Sequence, residues 1–371
     1  MSKKVTNSDV FKVLENWAPR NLAYEWDNVG LQVGSYNDQV KKIMITLDVL
    51  ESVVDEAIEE NVDLIIAHHP LLFKSIKQIN LDSNLGKIIQ KLIQNNITVY
   101  ASHTNLDIAD GGVNDLLAGP LNLKSTEPLV KEYQEELFKI AVFVPVSDME
   151  KVLDALSKSG AGHIGNYSHC TFQSKGQGTF KPLEGTNPYI GSKGTLEIVD
   201  EVKIETIVPN NKLSKAIQEM IKAHPYEEVA YDVYPLNNKG RTFGLGRIGQ
   251  LNEKMTLQDF AEHIKKVYDV PAVRVIGNLT KKVESVAILG GSGEKYYSVA
   301  KHKGADVYIT GDMTFHTAQE AEQMGLSIID PGHHVEKVMK QGVKNYLSEK
   351  LKEDEIEIIT SNIDTEPFQF I

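Results

Sequence analysis

Cysteine is nearly absent from this sequence: its 371 residues include one, Cys170. A single cysteine forms neither an intrachain disulfide nor a cysteine-rich zinc site, and we expect the chain to reside in a reducing cytoplasm. Basic residues are also outnumbered, because 39 Lys and Arg stand against 51 Asp and Glu, a net charge of -12. This balance argues against a large nucleic-acid footprint built on net positive charge, although a local basic patch remains compatible with it.

Long apolar runs are missing as well. No stretch approaches the roughly 20 apolar residues of a membrane span, so we expect no membrane partner. The N-terminus, MSKKVTNSDVF, turns polar too early for a secretory signal. Apolar residues make up 41% and charged residues 24%, which is typical of a soluble globular protein. The length favours two or three domains.

Both ends of the chain alternate apolar β-rich runs with amphipathic runs. The predicted strands are 42–49, 62–67, 97–101, 286–289, 306–310, 326–329 and 356–360. Helical patterns, with apolar residues three and four apart, lie between them. Strand-helix-strand alternation with short links predicts a parallel sheet with helices on its faces.

The middle of the chain follows a different pattern. Its elements occur in the order β-α-β-β-α-β, with a hairpin predicted at 167–180, and this is the order of a ferredoxin-like split βαβ unit. We therefore predict a discontinuous α/β domain of two strand-helix halves, residues 1–126 and 237–371. A ferredoxin-like α+β domain at 127–236 interrupts it. Three consecutive domains are the alternative.

Histidines and carboxylates follow three of the predicted strands. They are His68, His69, His103, Asp107, His333 and Glu336. Ligands of open α/β sheets collect at the carboxyl ends of strands, so we expect these side chains at one common edge. Each also has a simpler explanation. His-His-Pro is compatible with a surface turn, Asp107 with a cap or turn, and His333 with a helix start at which the dipole favours Glu336.

Imidazole and carboxylate groups together suit a divalent ion such as Zn²⁺, Mn²⁺, Fe²⁺ or Ni²⁺. Adjacent residues of an extended chain point to opposite sides, so His68 and His69 would serve two neighbouring ions better than one. Glu336 lies three residues after His333 on the same face of a helix start and could bridge both ions, and Asp107 could complete one coordination shell. Two ions about 3.5–4 Å apart are typical of hydrolytic sites.

Protons compete with metal ions for imidazole. An imidazole must be neutral to bind a metal, and its ordinary pKa is about 6.5. From the sequence we therefore expect metal affinity to fall below about pH 6, through protonation of His68, His69 and His333.

Two further segments carry weaker signals. The stretch Gly290–Glu294 links a strand to a helix, and its backbone N–H groups could hold phosphate. A tight glycine turn explains the same residues equally well. Asp312 and His316 follow the next strand and are our candidates for a catalytic acid/base pair. A capping aspartate and a surface histidine are the alternatives.

The order of five motifs resembles the Nif-three-like family, the NGG-one-interacting-factor-like proteins, whose members are often named GTP cyclohydrolase 1 type 2 homologues. The motifs are Asp27-Asn28-Val29-Gly30-Leu31-Gln32, Ala67-His68-His69-Pro70, Ser102-His103-Thr104-Asn105-Leu106-Asp107, Thr310-Gly311-Asp312 and Asp330-Pro331-Gly332-His333-His334-Val335-Glu336. The middle segment resembles the extra domain of the longer bacterial members, which is similar to trimeric PII-like and CutA-like proteins.

The resemblance implies two divalent ions per subunit, with Zn²⁺ as the expected metal. Carried over residue by residue, the implied ligands are His68, His69, Asp107, His333 and Glu336. Many members place the carboxylate four residues after the histidine, whereas here the spacing from His333 is three, so His334 is an alternative ligand. The resemblance also implies a ring-shaped homohexamer, a trimer of dimers, with metal sites facing an internal cavity.

The implied activity is metal-dependent hydrolysis of a nucleotide. By the family name, the purine of GTP would be opened at C8 with release of formate, while a nucleotide phosphohydrolase fits the same metals. The alternative is a metal-dependent regulatory protein without turnover. Its PII-like insert would act as a sensor or as a module that binds a protein or nucleic-acid partner.

Overall fold

The computed structural model of the protein describes residues 4–371, so the first three residues of the polar N-terminal segment lie outside the described residues. Its α-helices, numbered α1 to α11 in chain order, are Asn7–Trp17, Glu51–Glu59, Asn84–Gln94, Thr104–Ile108, Val113–Ala118, Met149–Lys158, Asn210–Ala223, Leu257–Val267, Tyr297–His302, Phe315–Gln323 and Val338–Lys350. Within the described part of the chain, no helix has both the length and the apolar character that crossing a bilayer requires.

The strands are numbered β1 to β13 in the same way. They are Gly30–Val33, Lys42–Thr46, Leu64–Ala67, Thr98–Ala101, Lys124–Pro145, Thr171–Phe180, Glu197–Pro209, Tyr231–Thr256, Arg274–Ile276, Lys282–Ile288, Val307–Ile309, Ser327–Asp330 and Glu357–Thr360. The chain divides into two compact units, the first formed by Met1–Tyr133 with Phe243–Ile371 and the second by Gln134–Thr242. The insert boundaries predicted at 127 and 236 fall inside β5 and β8, the two long strands through which the chain passes from one unit to the other.

The described part of the chain contains two mixed sheets, of five and eight strands, which confirms the predicted α/β class. One sheet has the order β1-β4-β3-β2-β13, in which β1 alone is antiparallel to its neighbour. In the other, β10, β11 and β12 are parallel and are flanked by the antiparallel strands β8 and β9. The two halves of the chain are interleaved, because β13 from the second half pairs with β2 from the first.

The register of each sheet aligns the carboxyl ends of its parallel strands. In the first sheet Ala67 of β3 pairs with Thr46 of β2 and with Ala101 of β4. In the second sheet the last pairs join Ile309 of β11 to β10 and to β12. The polar residues that follow these strands therefore come from the edges of two sheets, and the prediction of one common edge was wrong. The strand pattern in the sequence does not show how the strands divide between two sheets.

Each unit buries its own apolar core. In β3, all four residues from Leu64 to Ala67 are fully buried, as expected for a parallel strand covered on both faces. The two core clusters of the first unit contain no residue from 134–242, and the third cluster lies entirely within 138–229. Hydrophobic burial therefore stabilises the two units separately.

The second unit has the predicted element order, β5-α6-β6-β7-α7-β8, but not the predicted hairpin. Residues Thr171–Phe180 form one strand, β6, which pairs with β7 along its whole length. The carboxylate of Glu201 lies in the space that a Cβ atom at Gly178 would take, so a larger residue there would displace that carboxylate. A glycine that normally indicates a turn here permits a close approach within a strand.

Replacing Gln134–Thr242 with a short Gly/Ser linker should leave the first unit folded. The rings of Tyr133 and Phe243, its two new ends, lie 6.0 Å apart, so a few flexible residues span the gap. Circular dichroism during heating, with light scattering, measures the outcome. A matched deletion of 127–236 also removes the fully buried Leu129 and should be less stable by about 2–5 kcal/mol. Equal stability of the two deletions would contradict this division of the core.

Candidate metal centre

Six side chains from three segments of the first unit converge on one place. They are His68, His69, His103, Asp107, His333 and Glu336. Their donor atoms form three overlapping groups, each with all atoms within 4.8 Å of one another: His68-His69-His103, His69-His333-Glu336 and His68-Asp107-Glu336. The structure thus brings together the five predicted ligands and adds His103, which the sequence placed after a strand but did not select. These groups could hold a metal ion.

The two adjacent histidines continue the hydrogen-bond ladder of β3 beyond its last residue. The backbone N–H of His68 donates to the carbonyl of Thr46, and that of His69 donates to the carbonyl of Leu47. The extended backbone sends the two rings to different surroundings, since the His68 side chain is fully buried and that of His69 is 25% exposed. Their ring centroids lie 5.1 Å apart.

Asp27 anchors the turn that follows β4. Its carboxylate accepts hydrogen bonds from the backbone N–H and the hydroxyl of Thr104, and it lies 2.9 Å from Nδ1 of His103. These contacts fix the start of α4, whose first turn carries Asp107 towards the cluster. Asp107 is therefore not a cap. The Asp-Asn-Val-Gly-Leu motif contributes to the centre through Asp27, a role that the sequence did not reveal.

Glu336 reaches the cluster from a short 3-10 helix, His333–Lys337, which follows β12 and precedes α11. Its carboxylate packs against Gly290 and Gly291, and a side chain on Gly291 would collide with it. Gly291 also has φ +60, which glycine adopts readily. The N–H of Gly290 is already bonded to Asn114 Oδ1, at 3.0 Å. The glycines thus make room for Glu336, which favours the tight-turn explanation over a phosphate loop.

Four imidazole rings turn Nδ1 to an outer acceptor, and in His68, His69 and His333 the other nitrogen, Nε2, faces Glu336. Nδ1 lies 2.9 Å from the Ser102 carbonyl oxygen in His68, 2.7 Å from Asp48 Oδ1 in His69, 2.9 Å from Asp27 Oδ1 in His103 and 2.7 Å from Asp312 Oδ2 in His333. An acceptor at Nδ1 favours the tautomer that is protonated there and leaves the Nε2 lone pair for a cation. Metal-binding histidines are usually held in this way.

The inward-facing atoms are close together and incompletely satisfied. Glu336 Oε2 lies 3.2 Å from Nε2 of His69, 3.2 Å from Nε2 of His333 and 3.8 Å from Nε2 of His68. His68 Nε2 and Asp107 Oδ1, 3.5 Å apart, are buried without a hydrogen-bond partner among the described residues. A buried polar atom without a partner costs about 1–3 kcal/mol. A divalent cation would satisfy both atoms, so the donor set fits a metal.

In the metal-free protein, protonated histidines balance the negative charge of the carboxylates in the cluster. Burial by itself lowers the pKa of His69 and His333, but hydrogen bonds to Glu336 and to Asp48 or Asp312 reverse this and raise the values to about 10 and about 9. Burial lowers the pKa of His68 to about 3. Burial and the nearby Glu336 hold the pKa of Asp107 well above its usual range. Burial opposes ionisation of Glu336 too, yet the two histidines keep its pKa well below the usual range.

Three other candidate residues, His334, Asp312 and His316, differ in how they relate to the cluster. His334 points elsewhere, with Nε2 3.3 Å from Asp364 Oδ1, which favours His333 as the ligand. Asp312, at φ +57, accepts a hydrogen bond from His333 and thereby touches the centre indirectly. His316 is exposed in the first turn of α10, where its ring contacts Gln319, and the structure does not bring it into the cluster.

Comparison with known proteins places these features in a family. The sequence profile of Duf34/NIF3 (NGG1p interacting factor 3) matches residues 5–367. The chain belongs to the Duf34/NIF3 family. A NIF3-related protein of Bacillus cereus has a crystal structure similar to this fold, with TM-score 0.94, 54% identity and full coverage of both chains.

Two bacterial relatives are similar over their whole length. A protein of Halalkalibacterium halodurans is 52% identical, with 99% of this chain and 100% of that protein covered. A protein of Bacillus subtilis is 50% identical, with 100% of both covered. Each is named GTP cyclohydrolase 1 type 2 homolog. The predicted Nif-three-like resemblance is confirmed, and the cluster described above lies within the matched region of this Duf34/NIF3 protein.

Zinc binding at about pH 7.5 should release protons, because the raised pKa values of His69 and His333 keep both rings protonated in the metal-free protein and a ring must be neutral to bind metal. Since both raised values lie above neutrality, metal affinity should keep rising with pH towards about 10. The sequence alone predicts a fall in metal affinity below about pH 6, and the raised pKa values of His69 and His333 extend the expected fall to higher pH. Burial lowers the pKa of His68, so protons compete less at that ring.

Isothermal titration calorimetry in two buffers of different ionisation enthalpy measures the protons released. The matched variant is Asp48→Asn, which removes one of the two acceptors that raise the pKa of His69 and should reduce the release. Zinc binding without proton release in the unmodified protein would show that the imidazoles are already neutral.

Proposed function

We propose that the cluster is a dinuclear centre for divalent ions, with Zn²⁺ as the expected metal. The supporting observation is the arrangement of two donor groups, His69-His333-Glu336 and His68-Asp107-Glu336, which share Glu336 alone. A carboxylate common to two three-ligand groups suits a bridge between two neighbouring ions. His103 adjoins His68 and His69 and could complete a coordination shell. Imidazole and carboxylate ligands are compatible with Zn²⁺ and also with Mn²⁺, Fe²⁺ or Ni²⁺.

We further propose that the centre serves a hydrolase that acts on a nucleotide. A pair of bound divalent ions supplies a water nucleophile at neutral pH and polarises the bond under attack. The name shared by the relatives, GTP cyclohydrolase 1 type 2 homolog, supports a purine nucleotide as substrate. The two reactions to separate are opening of the GTP ring with release of formate and cleavage of a phosphate bond.

Asp312 and His316 are the proposed proton carriers. Asp312 is 43% exposed at the side chain, and its carboxylate holds the ring of His333, so it can both orient a ligand and accept a proton beside the centre. His316 has no such contact, and its part in proton transfer is the weaker half of the proposal. Replacing each residue separately distinguishes the two roles.

Glu336→Gln should reduce bound metal from about two ions per chain to one or fewer. Glutamine keeps the shape of the side chain but lacks the charge that would bridge two cations, so the shared ligand is lost. Elemental analysis after dialysis against metal-free buffer gives the stoichiometry. The matched control is His334→Ala, which alters the adjacent ring bonded to Asp364 and should leave the metal content unchanged. Two ions retained in Glu336→Gln would rule out the bridge.

Incubation of the Zn²⁺- or Mn²⁺-loaded protein with GTP should yield formate or inorganic phosphate, because the centre would activate water. Formate indicates the cyclohydrolase reaction, and phosphate indicates a phosphohydrolase. Asp312→Asn should lower the rate by about 10²–10⁴-fold if it transfers protons, with His316→Ala run in parallel. If neither formate nor phosphate forms with any nucleotide of a panel, both reactions are excluded.

The alternative function is regulation without turnover. It is favoured by a cavity of about 880 Å³ within the second unit, where Phe143, Phe180, Tyr189 and Tyr226 contribute aromatic surface. A metabolite bound there would make the unit a sensor or a partner-binding module.

We also propose a homohexameric ring, which rests on the family resemblance, and a cytoplasmic location, which rests on the single cysteine.

A further inference from the structure

A cavity of about 440 Å³ in the first unit has the metal cluster at its base and aromatic rings at its rim. The buried end is formed by groups such as Glu336, which is 3% exposed, whereas Trp26 and Phe73 at the rim are 57% and 49% exposed. Large aromatic side chains left half in water beside a polar site are candidates for ligand contact. The volume lies within the range of about 300–1,000 Å³ typical of small-molecule sites.

The rim residues form one wall beside the cluster, which we call the aromatic wall and define as Tyr24, Trp26 and Phe73. The rings of Tyr24 and Trp26 are nearly parallel, at 18°, with centroids 5.6 Å apart. Trp26 and Phe73 meet edge to face at 5.9 Å, and each lies 6.3 Å from the ring of His103. His103 therefore lies between the wall and the other donor groups. A ligand that packs against the wall would lie next to the metal cluster.

Lys295 adds a positive charge to the same cavity. Its ammonium group lies 4.9 Å from the centroid of the Tyr296 ring, and among residues 4–371 it forms no ion pair with a carboxylate. An ammonium group without a carboxylate partner can accept an anionic ligand. The cavity thus combines flat apolar surface at its mouth with positive charge and metal-binding groups further in.

We propose that this cavity binds a nucleoside phosphate, with the base against the aromatic wall and the phosphate directed towards Lys295 and the metal cluster. The inference deepens the phosphohydrolase form of the proposed function, because it places the phosphate and not C8 of the purine at the cluster, and it rests on the proposed function for the presence of metal. Every nucleobase has a planar π face that stacks on aromatic side chains. Phosphate oxygens are ligands for divalent ions and for lysine. An aliphatic acid would use the charged end of the cavity and leave the wall exposed.

The test uses the two tryptophans of the chain as reporters. Trp17 stacks on Tyr346 at 4.3 Å and lies outside the cavity, so Trp17→Phe leaves Trp26 as the single tryptophan. Zinc-loaded Trp17→Phe protein is titrated with guanosine 5′-monophosphate, guanosine and ribose 5-phosphate. The monophosphate should quench Trp26 fluorescence, and guanosine should do so only at higher concentration. Ribose 5-phosphate should compete without quenching. If Trp17→Phe misfolds, the difference between the unmodified and Trp26→Phe proteins gives the same signal.

Affinity is then measured by calorimetry in two wall variants, Trp26→Ala and Phe73→Ala. Loss of one stacking partner should weaken binding of the monophosphate by about 5- to 150-fold, with little effect on ribose 5-phosphate. Phe315→Ala is the matched control, since Phe315 is 73% exposed and does not line the cavity. Metal content is measured for each variant.

The results separate this inference from the proposed function. Monophosphate binding that depends on the wall, without any hydrolysis, would support the inference and contradict the hydrolase. Hydrolysis of the nucleotide by Trp26→Ala with an unchanged KM would support the hydrolase and contradict the inference. Absence of quenching, or equal affinity of the unmodified and Trp26→Ala proteins, would overturn the inference.

Discussion

The carboxylate of Glu336 is the group on which the rest of the centre depends. It is almost completely buried, and an isolated buried charge is costly unless it is paired. Two imidazoles at 3.2 Å provide that pairing in the metal-free protein, and a cation would do so more strongly. The neighbouring segments of the chain accommodate this buried carboxylate. Two consecutive glycines leave space for the carboxylate, and a short 3-10 helix delivers it from the end of a strand.

Hydrogen-bond acceptors around the cluster hold its imidazole rings in place. Each of the four rings is held through Nδ1, three of them by the carboxylates of Asp27, Asp48 and Asp312 and one by a backbone carbonyl. These acceptors lie at the ends of strands or in the turns beside them, so the sheets determine where they stand. Such support orients a ligand and increases its basicity, which is why the outer contacts matter as much as the donors themselves.

The separation of cores divides the protein into two parts. All donor groups and the aromatic wall belong to the first unit, whereas the second unit has its own core and its own cavity. The proposed chemistry at the cluster and the proposed sensing in the second unit are therefore compatible within one chain. The family relationship covers both units, since the Bacillus cereus structure matches the full length.

The sequence by itself determined the α/β class, the order of elements in the second unit and the strand ends at which the histidines and carboxylates lie. These features are local, because strand and helix periodicity and the residues after a strand can be read within a few positions. Only the tertiary structure decided that two sheets contribute, that Gly178 belongs to a strand, and that His333 rather than His334 faces the cluster. The physical reason is distance along the chain: His69 meets Asp48 across 21 residues, His103 meets Asp27 across 76, and His69 meets Glu336 across 267. The pKa values of the rings follow from those same contacts, so they too were set by the folded arrangement and not by the local sequence.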